Sequence, residues 1–217
     1  MLQHEWPPIA VPAKPQVFVL MAVFFGFALI HSFFAAGWTK NFIGTIIGRR
    51  ALAGLYRLGY TVLSVVITAA AAHVILSLPD RKLLVIRPLA VGVMILIETA
   101  GAIFGALAFR KIDFLEFIGV RQAVSYISGR TVEVPGDEAF ISKGVYSVVR
   151  HPLYLAGITV FTFFPFFTMN RIIVSAVADI YFLWGAWIED KRMLDQFGEQ
   201  YRNYMRSVPA IVPRCGR

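Results

Sequence analysis

Residues 17–36 extend for a full membrane-helix length without a formal charge, residues 58–78 repeat the pattern, and residues 88–109 interrupt it once, at Glu98. A spanning helix needs about 20 apolar residues, because the hydrocarbon core is roughly 30 Å thick and each residue rises about 1.5 Å. Two shorter apolar stretches, 153–169 and 172–188, are separated only by Asn170-Arg171, which reads as a tight helical hairpin whose second arm carries Asp179. The expected fold is all-α: a polytopic transmembrane bundle of about five spanning helices. Composition agrees, since 58% of residues are hydrophobic, 16% are charged and the mean hydropathy is +0.67, against about 25% charged in soluble domains. Residues 1–16 hold four prolines and no basic stretch ahead of the first helix, so that helix is expected to be retained. No repeat divides the chain, and residues 1–217 are read as one domain.

Lysine and arginine fix the orientation, because cytoplasmic segments retain positive charge. With the N-terminus outside, inner segments hold sixteen such residues and outer segments five. The C-terminus is therefore expected in the cytoplasm, in a bacterial inner membrane. The net charge of +8 then faces anionic lipid, and a nucleic-acid partner is discarded. Cys215 is the only cysteine, so neither a disulfide framework nor a thiolate metal cluster can form within the chain. No pair of histidines stands at metal-binding spacing, and no metal is expected.

Glu98 and Asp179 lie near the middle of their spans, where an ionised carboxylate requires a partner, a cavity or a proton. They are either functional or neutral carboxyls joining helices. His31-Ser32 and His73 are weaker candidates of the same kind. Gly101 and Gly105 form a small-xxx-small pair suited to close helix packing. Residues 112–128 are too polar to span and amphipathic enough to lie in the interface and roof a pocket. Residues 129–137 supply the turn that follows.

Gly144, Tyr146, Arg150-His151-Pro152, Tyr154 and Gly157 cluster at the entrance to the fourth apolar stretch. Proline suits a first helical turn, which puts Arg150 and His151 at a helix N-terminus, where anionic groups are favoured. Gly157 leaves room one turn deeper for a flat ring. Glu189-Asp190 follow the fifth stretch and return to the same face, so an acid pair meets a basic pair across one hairpin.

That string, with Glu189-Asp190, Phe197-Gly198, Tyr201, Tyr204 and Val208-Pro209, resembles the C-terminal signature of the isoprenylcysteine carboxyl methyltransferase superfamily over residues 144–209. Two departures are visible: Asp190 stands where the family has a second glutamate, and the tail ends Pro213-Arg214-Cys215-Gly216-Arg217. His31-Ser32, Lys40, Tyr56-Arg57, Tyr60 and residues 113–122 are similar to the bacterial NnrU-like and methanethiol S-methyltransferase branches. The resemblance implies an integral membrane enzyme using S-adenosyl-L-methionine, with Arg150, His151, Tyr154, Gly157, Glu189 and Asp190 at the cofactor and Arg150, His151 and His31 in catalysis. Chemically, Glu189 suits an ammonium or ribose hydroxyls, Arg150 or His151 a carboxylate, and Tyr154, Trp184 and Trp187 an adenine or a sulfonium. The implied acceptor is lipophilic or small: a carboxylate, a thiol or an amine lipid. A thiol needs a base, for which His31 or His151 is available. The competing expectation is a small transport or proton-relay bundle built on Glu98, Asp179, His31 and His73.

Overall fold

The computed structural model describes residues 14–110, 112–131 and 140–214. Helix α1 (Lys14–Ala35) is followed by a short helix α2 (Gly37–Ile47) and by α3 (Arg49–Ser77), and strand β1 (Lys82–Leu84) precedes α4 (Pro88–Phe109). Two short helices, α5 (Phe114–Phe117) and α6 (Val120–Ile127), lead towards a 3-10 turn at Gly144–Ser147. Helix α7 (Pro152–Thr162), strand β2 (Phe167–Thr168) and the long α8 (Met169–Ser207) complete the order. Most of the loop expected at 129–137 lies outside the described residues, as does Cys215.

Four of these helices are long and apolar enough to cross a membrane: residues 16–35 of α1, α3, α4 and α8. The expected fourth span is corrected. Helix α7 has 11 residues, about 16 Å, roughly half the hydrocarbon thickness. Pro165 accounts for the early stop, because its ring excludes the preceding residue from helical geometry. The exposed end of α7 is closed by α8: Arg171 Nη2 donates to the carbonyls of Val160 and Phe161 at 3.3 and 3.5 Å, and Ser175 Oγ donates to Phe161 at 2.6 Å. The Arg171 guanidinium also lies 4.2 Å from the Phe164 ring centroid. A cation at a helix C-terminus is favoured by the helix dipole.

The fifth expected helix is longer than its apolar stretch. With 39 residues, about 58 Å, α8 is nearly twice a membrane thickness, so its apolar half spans while the half beginning at the charged run Glu189-Asp190-Lys191-Arg192 projects beyond the core. Gly198 bends that outer half at φ 54°, a backbone region that side chains disfavour.

Packing of α7 depends on glycines. A Cβ on Gly101 would sit 2.6 Å from Thr159, and one on Gly105 2.8 Å from Ala156, so the small-xxx-small pair seats α4 directly on α7. At the end of the bundle where α8 begins, Gln16 of α1 and Asn170 both hydrogen-bond the Pro79 carbonyl, and Asn170 N–H donates to Asp80 at 3.2 Å. β1 pairs antiparallel with β2 there. The amphipathic segment 112–128 splits at Gly119 and packs on α3, with Tyr126 filling the space that Gly54 leaves. Asp113 caps α5 by accepting from Glu116 N–H and pairs with Arg121 at 2.7 Å. The Glu116 bond and that guanidinium hold its carboxyl below the usual range.

Candidate functional site

The sequence expectation that Arg150-His151 and Glu189-Asp190 converge is met, with a different division of labour. Arg150 Nη2 donates to Asp190 Oδ2 at 2.6 Å and Nε to Oδ1 at 3.2 Å. Its Nη1 donates to the carbonyls of Val208 and Met205 at 2.6 and 3.3 Å. Asp190 Oδ1 also accepts from His151 Nε2 at 2.8 Å and from the Tyr201 hydroxyl at 2.6 Å. The Arg150 and Asp190 side chains are only 8% and 13% exposed, and that of His151 3%. The backbone N–H groups of Arg150 and His151 donate to the carbonyls of Pro209 and Ala210. These groups form a clamp that fastens the chain's tail to the entrance of α7. Burial alone would raise the Asp190 carboxyl, but the bonds from His151, Arg150 and Tyr201 outweigh it and hold the group well below the carboxylate range. Arg150 and Asp190, expected to touch a cofactor, are thus occupied by each other. Tyr201, Tyr204 and Val208 pack beneath the clamp with Phe140 and Phe197.

Gly157 is likewise filled from within: a Cβ there would lie 2.8 Å from the Phe182 ring, so the flat ring that approaches it belongs to α8. Trp184 and Trp187 lie on another side of α8. Their rings pack against each other at a tilt of 48°, 5.2 Å between centroids, at 59% and 49% exposure, with Lys191 Nζ 3.5 Å from the Trp187 ring centroid. That stripe points outward, as interfacial tryptophans do.

A second face of α8 remains open. At 3.6 residues per turn, Tyr181, Gly185, Glu189 and Arg192 fall on one side of the helix. Tyr154 lies across Gly185, whose Cβ would be 3.1 Å from its ring, with its hydroxyl near the Glu189 carboxylate. His151 Nδ1 is 3.7 Å from Glu189 Oε2, and the Glu189 side chain keeps 35% exposure. Glu189 is therefore positioned by the clamp without being consumed by it.

Deeper along the face, the Tyr181 ring meets the His31 ring, 6.3 Å between centroids, and Phe27 stacks on His31 at 5.5 Å. The Tyr60 hydroxyl is 2.8 Å from His31 Nε2, and Ser64 Oγ is 3.3 Å from Nδ1. Hydroxyls at both ring nitrogens serve either tautomer, because a hydroxyl donates or accepts. The Tyr181 hydroxyl lies near Ser32. Beside Ser32, an apolar recess of about 540 Å³ opens among Leu29, Ile30, Phe33, Phe34, Ala36 and Trp38.

The transport candidates do not assemble. Asp179 Oδ2 accepts from Thr162 at 2.7 Å, and Asp179 and Glu98 share the field of Arg171. His73 is exposed on α3, and His31 belongs to the aromatic cluster. Among the described residues no hydrogen bond links any two of Glu98, Asp179, His31 and His73, and no group of three or more His, Cys, Asp or Glu side chains suits a metal.

Tyr181, Gly185, Arg192 and Ser64 join the site although no sequence motif singles them out. The spacing 181, 185, 189, 192 is the available signal, and it is hidden because the fifth apolar stretch ends at residue 188 while the helix continues.

No family model matches the chain, and no solved structure does. Curated relatives are found. The methanethiol S-methyltransferase of Pseudomonas deceptionensis is 32% identical over 106 residues, 49% of this chain and 39% of that protein. That of Pseudomonas sp. (strain GM41(2012)) is 34% identical over 108 residues, 50% and 40%, and that of Mycobacterium tuberculosis 29% over 102 residues, 47% and 41%. The chain thus spans about two fifths of the length of these relatives. Across about half of its own length it is similar to methanethiol S-methyltransferases, in keeping with the isoprenylcysteine carboxyl methyltransferase-like membrane branch that its 144–209 signature resembles.

Proposed function

We propose that the chain is an S-adenosyl-L-methionine-dependent membrane methyltransferase whose acceptor is a small thiol. The observation that carries the reading is the open face of α8, which sets the accessible Glu189 carboxylate and the Tyr154 ring in line with the His31–Tyr60–Ser64–Tyr181 cluster. The similarity to methanethiol S-methyltransferases supports the acceptor class.

When bound, the donor would supply a sulfonium-activated methyl group for in-line transfer to an acceptor sulfur, its own sulfur leaving as a neutral thioether. The face suits such a donor: Glu189 is free to meet an ammonium or ribose hydroxyls, and the Tyr154 and Tyr181 rings offer π faces to a cationic centre. His151 touches Glu189 and Asp190 together and so acts as a positioning residue for the binding carboxylate. His31 takes the proton of the thiol, and Tyr60 and Ser64 orient its ring. The recess beside Ser32 gives a small apolar acceptor a route from the bilayer. Holding both partners away from water in an attack geometry is the protein's main contribution. The excess of basic residues at the Glu189 end supports a cytoplasmic, inner-membrane orientation for that end.

The test is methyl transfer from labelled S-adenosylmethionine to methanethiol by the purified, detergent-solubilised chain. Dimethyl sulfide formation that is abolished by Glu189→Ala in a folded protein is the expected result. Absence of labelled thioether from wild type, with other thiols also inert, overturns it.

A further inference from the structure

Helix α3 is longer than a bilayer core is thick. Its 29 residues span about 43 Å against roughly 30 Å of hydrocarbon, and the surplus falls at its start, where Arg49, Arg50 and Arg57 precede the apolar run that begins at residue 58. Arg57 is turned to the Phe117 carbonyl, its Nε donating at 2.9 Å. Arg49 and Arg50 are exposed, and among the described residues neither forms an ion pair.

Both arginines line one cavity of about 560 Å³, set between the α2–α3 turn and the end of α6, together with Ile47, Tyr126 and Ile127. That volume falls within the range of ligand clefts, roughly 300–1,000 Å³. Its walls are fixed by packing. Gly48 makes the turn at φ 84°, a region that side chains disfavour, and the Tyr126 ring is seated against Gly54 of α3. The Arg50 guanidinium lies 5.7 Å from the Tyr126 ring centroid, close enough for cation–π attraction to hold it there. Beside the two cations stand two isoleucines, Ile47 and Ile127, which are 46% and 78% exposed.

Guanidinium groups without a counter-charge, next to apolar side chains open to their surroundings, complement a phosphate joined to hydrocarbon. A soluble phosphate would use the arginines and leave the isoleucines in water. The neighbouring surface also suits a bilayer boundary, since Phe114 and Leu115 of α5 and Val124 of α6 are exposed, as in amphipathic segments that lie among headgroups. Basic residues beside a spanning helix attract anionic lipid.

We infer that Arg49 and Arg50 bind the phosphate of an anionic phospholipid in this cavity, with Ile47 and Ile127 against its glycerol and first acyl carbons. The site is separate from the open face of α8, and the inference stands independently of the methyltransferase reading. The bound lipid joins the α2–α3 turn to the end of α6 and so fastens the amphipathic segment 112–128 to the bundle.

The experiment is a titration of the full chain in detergent, followed by native mass spectrometry, with dioctanoyl phosphatidylglycerol as the probe and dioctanoyl phosphatidylcholine and inorganic phosphate as comparisons. Wild type is expected to bind phosphatidylglycerol in preference to both. Arg49→Gln combined with Arg50→Gln is expected to weaken that binding about tenfold or more, the loss typical of charge-assisted bonds. Arg202→Gln combined with Arg206→Gln removes the same charge elsewhere and is expected to change it less than about twofold, since exposed charges at a distance are screened. Arg49→Lys combined with Arg50→Lys keeps the charge that guides insertion but loses the forked contact, and an intermediate affinity is expected. Equal weakening by the two glutamine pairs identifies diffuse charge attraction and overturns the site. Inorganic phosphate bound as tightly as phosphatidylglycerol overturns the lipid assignment, and so does wild type that binds no phosphatidylglycerol or an affinity unchanged in both Arg49/Arg50 pairs.

Discussion

Arg150 and Asp190 stand forty residues apart in the chain and meet through two parallel hydrogen bonds, Nη2 to Oδ2 at 2.6 Å and Nε to Oδ1 at 3.2 Å, while the remaining guanidinium nitrogen holds the Val208 carbonyl. One ion pair thereby joins the entrance of α7, the outer half of α8 and the tail. Removing either partner leaves the other charge nearly buried and unpaired, which destabilises a protein by about 3–5 kcal/mol.

Arg150→Ala and Asp190→Ala are therefore expected to lower the thermal midpoint of the detergent-solubilised protein sharply and to open residues 205–210 to proteolysis. Arg150→Lys, which cannot make the forked contact, is expected to recover only part of the loss. A thermal midpoint unchanged in Asp190→Ala contradicts the clamp.

Acid should release the same clamp. The Asp190 carboxyl titrates lower in the folded chain than in the unfolded one, held there against burial by His151, Arg150 and Tyr201. Its stabilising contribution is then complete above the unfolded value of about 3.9 and disappears as pH falls through the lower folded value. Thermal midpoints measured from neutral pH into that range should fall in wild type, and the part due to this group should be missing in Asp190→Asn. Parallel curves for the two proteins would place the acid sensitivity elsewhere.

Helix packing gives a prediction independent of function. Gly101→Val inserts a Cβ 2.6 Å from Thr159 and is expected to destabilise the α4–α7 contact by about 1–3 kcal/mol through overpacking. Gly92, on the same helix, has nothing within 4 Å of its Cβ position. Gly92→Ala should leave the stability within about 0.5 kcal/mol of wild type, as surface changes do.

For the proposed chemistry, His31→Gln removes the proton acceptor while keeping polar atoms near Tyr60 and Ser64. Turnover of a small thiol is expected to drop about 100-fold or more, with donor binding intact by calorimetry. The deficit should shrink as pH rises towards the thiol's own ionisation. A loss of equal size at every pH identifies His31 as an aromatic-cluster packing residue instead.

The membrane spans α1, α3 and α4 are legible in the sequence because long charge-free runs leave few alternatives to a spanning helix. The convergence of residues 150–151 with 189–190 is legible too, since two apolar arms joined by a short connection bring their far ends together. What stays hidden depends on context that composition does not carry. Pro165 sits inside an apolar run and stops α7 although hydropathy is undisturbed, and the charged residues after Ile188 continue a helix that hydropathy ends. Helix α2 leaves no separate mark in hydropathy, although Lys40 within it stands out as a charge. Whether an arginine beside an acid binds a ligand or the acid is decided by side-chain reach across elements: Arg150 turns to Asp190, and Glu189, one residue earlier and about 100° around the helix, is left open.

The bonds from Arg150 and His151 N–H to the carbonyls of Pro209 and Ala210 also impose an order of events during biosynthesis. The ribosome makes α7 long before it makes those acceptors, and the whole of α8 must emerge between the two. The helix start that positions the Glu189 end is thus finished only after every hydrophobic segment described here has been synthesised. A chain cut short before residue 208 would keep its hydrophobic helices and lack every acceptor of that latch.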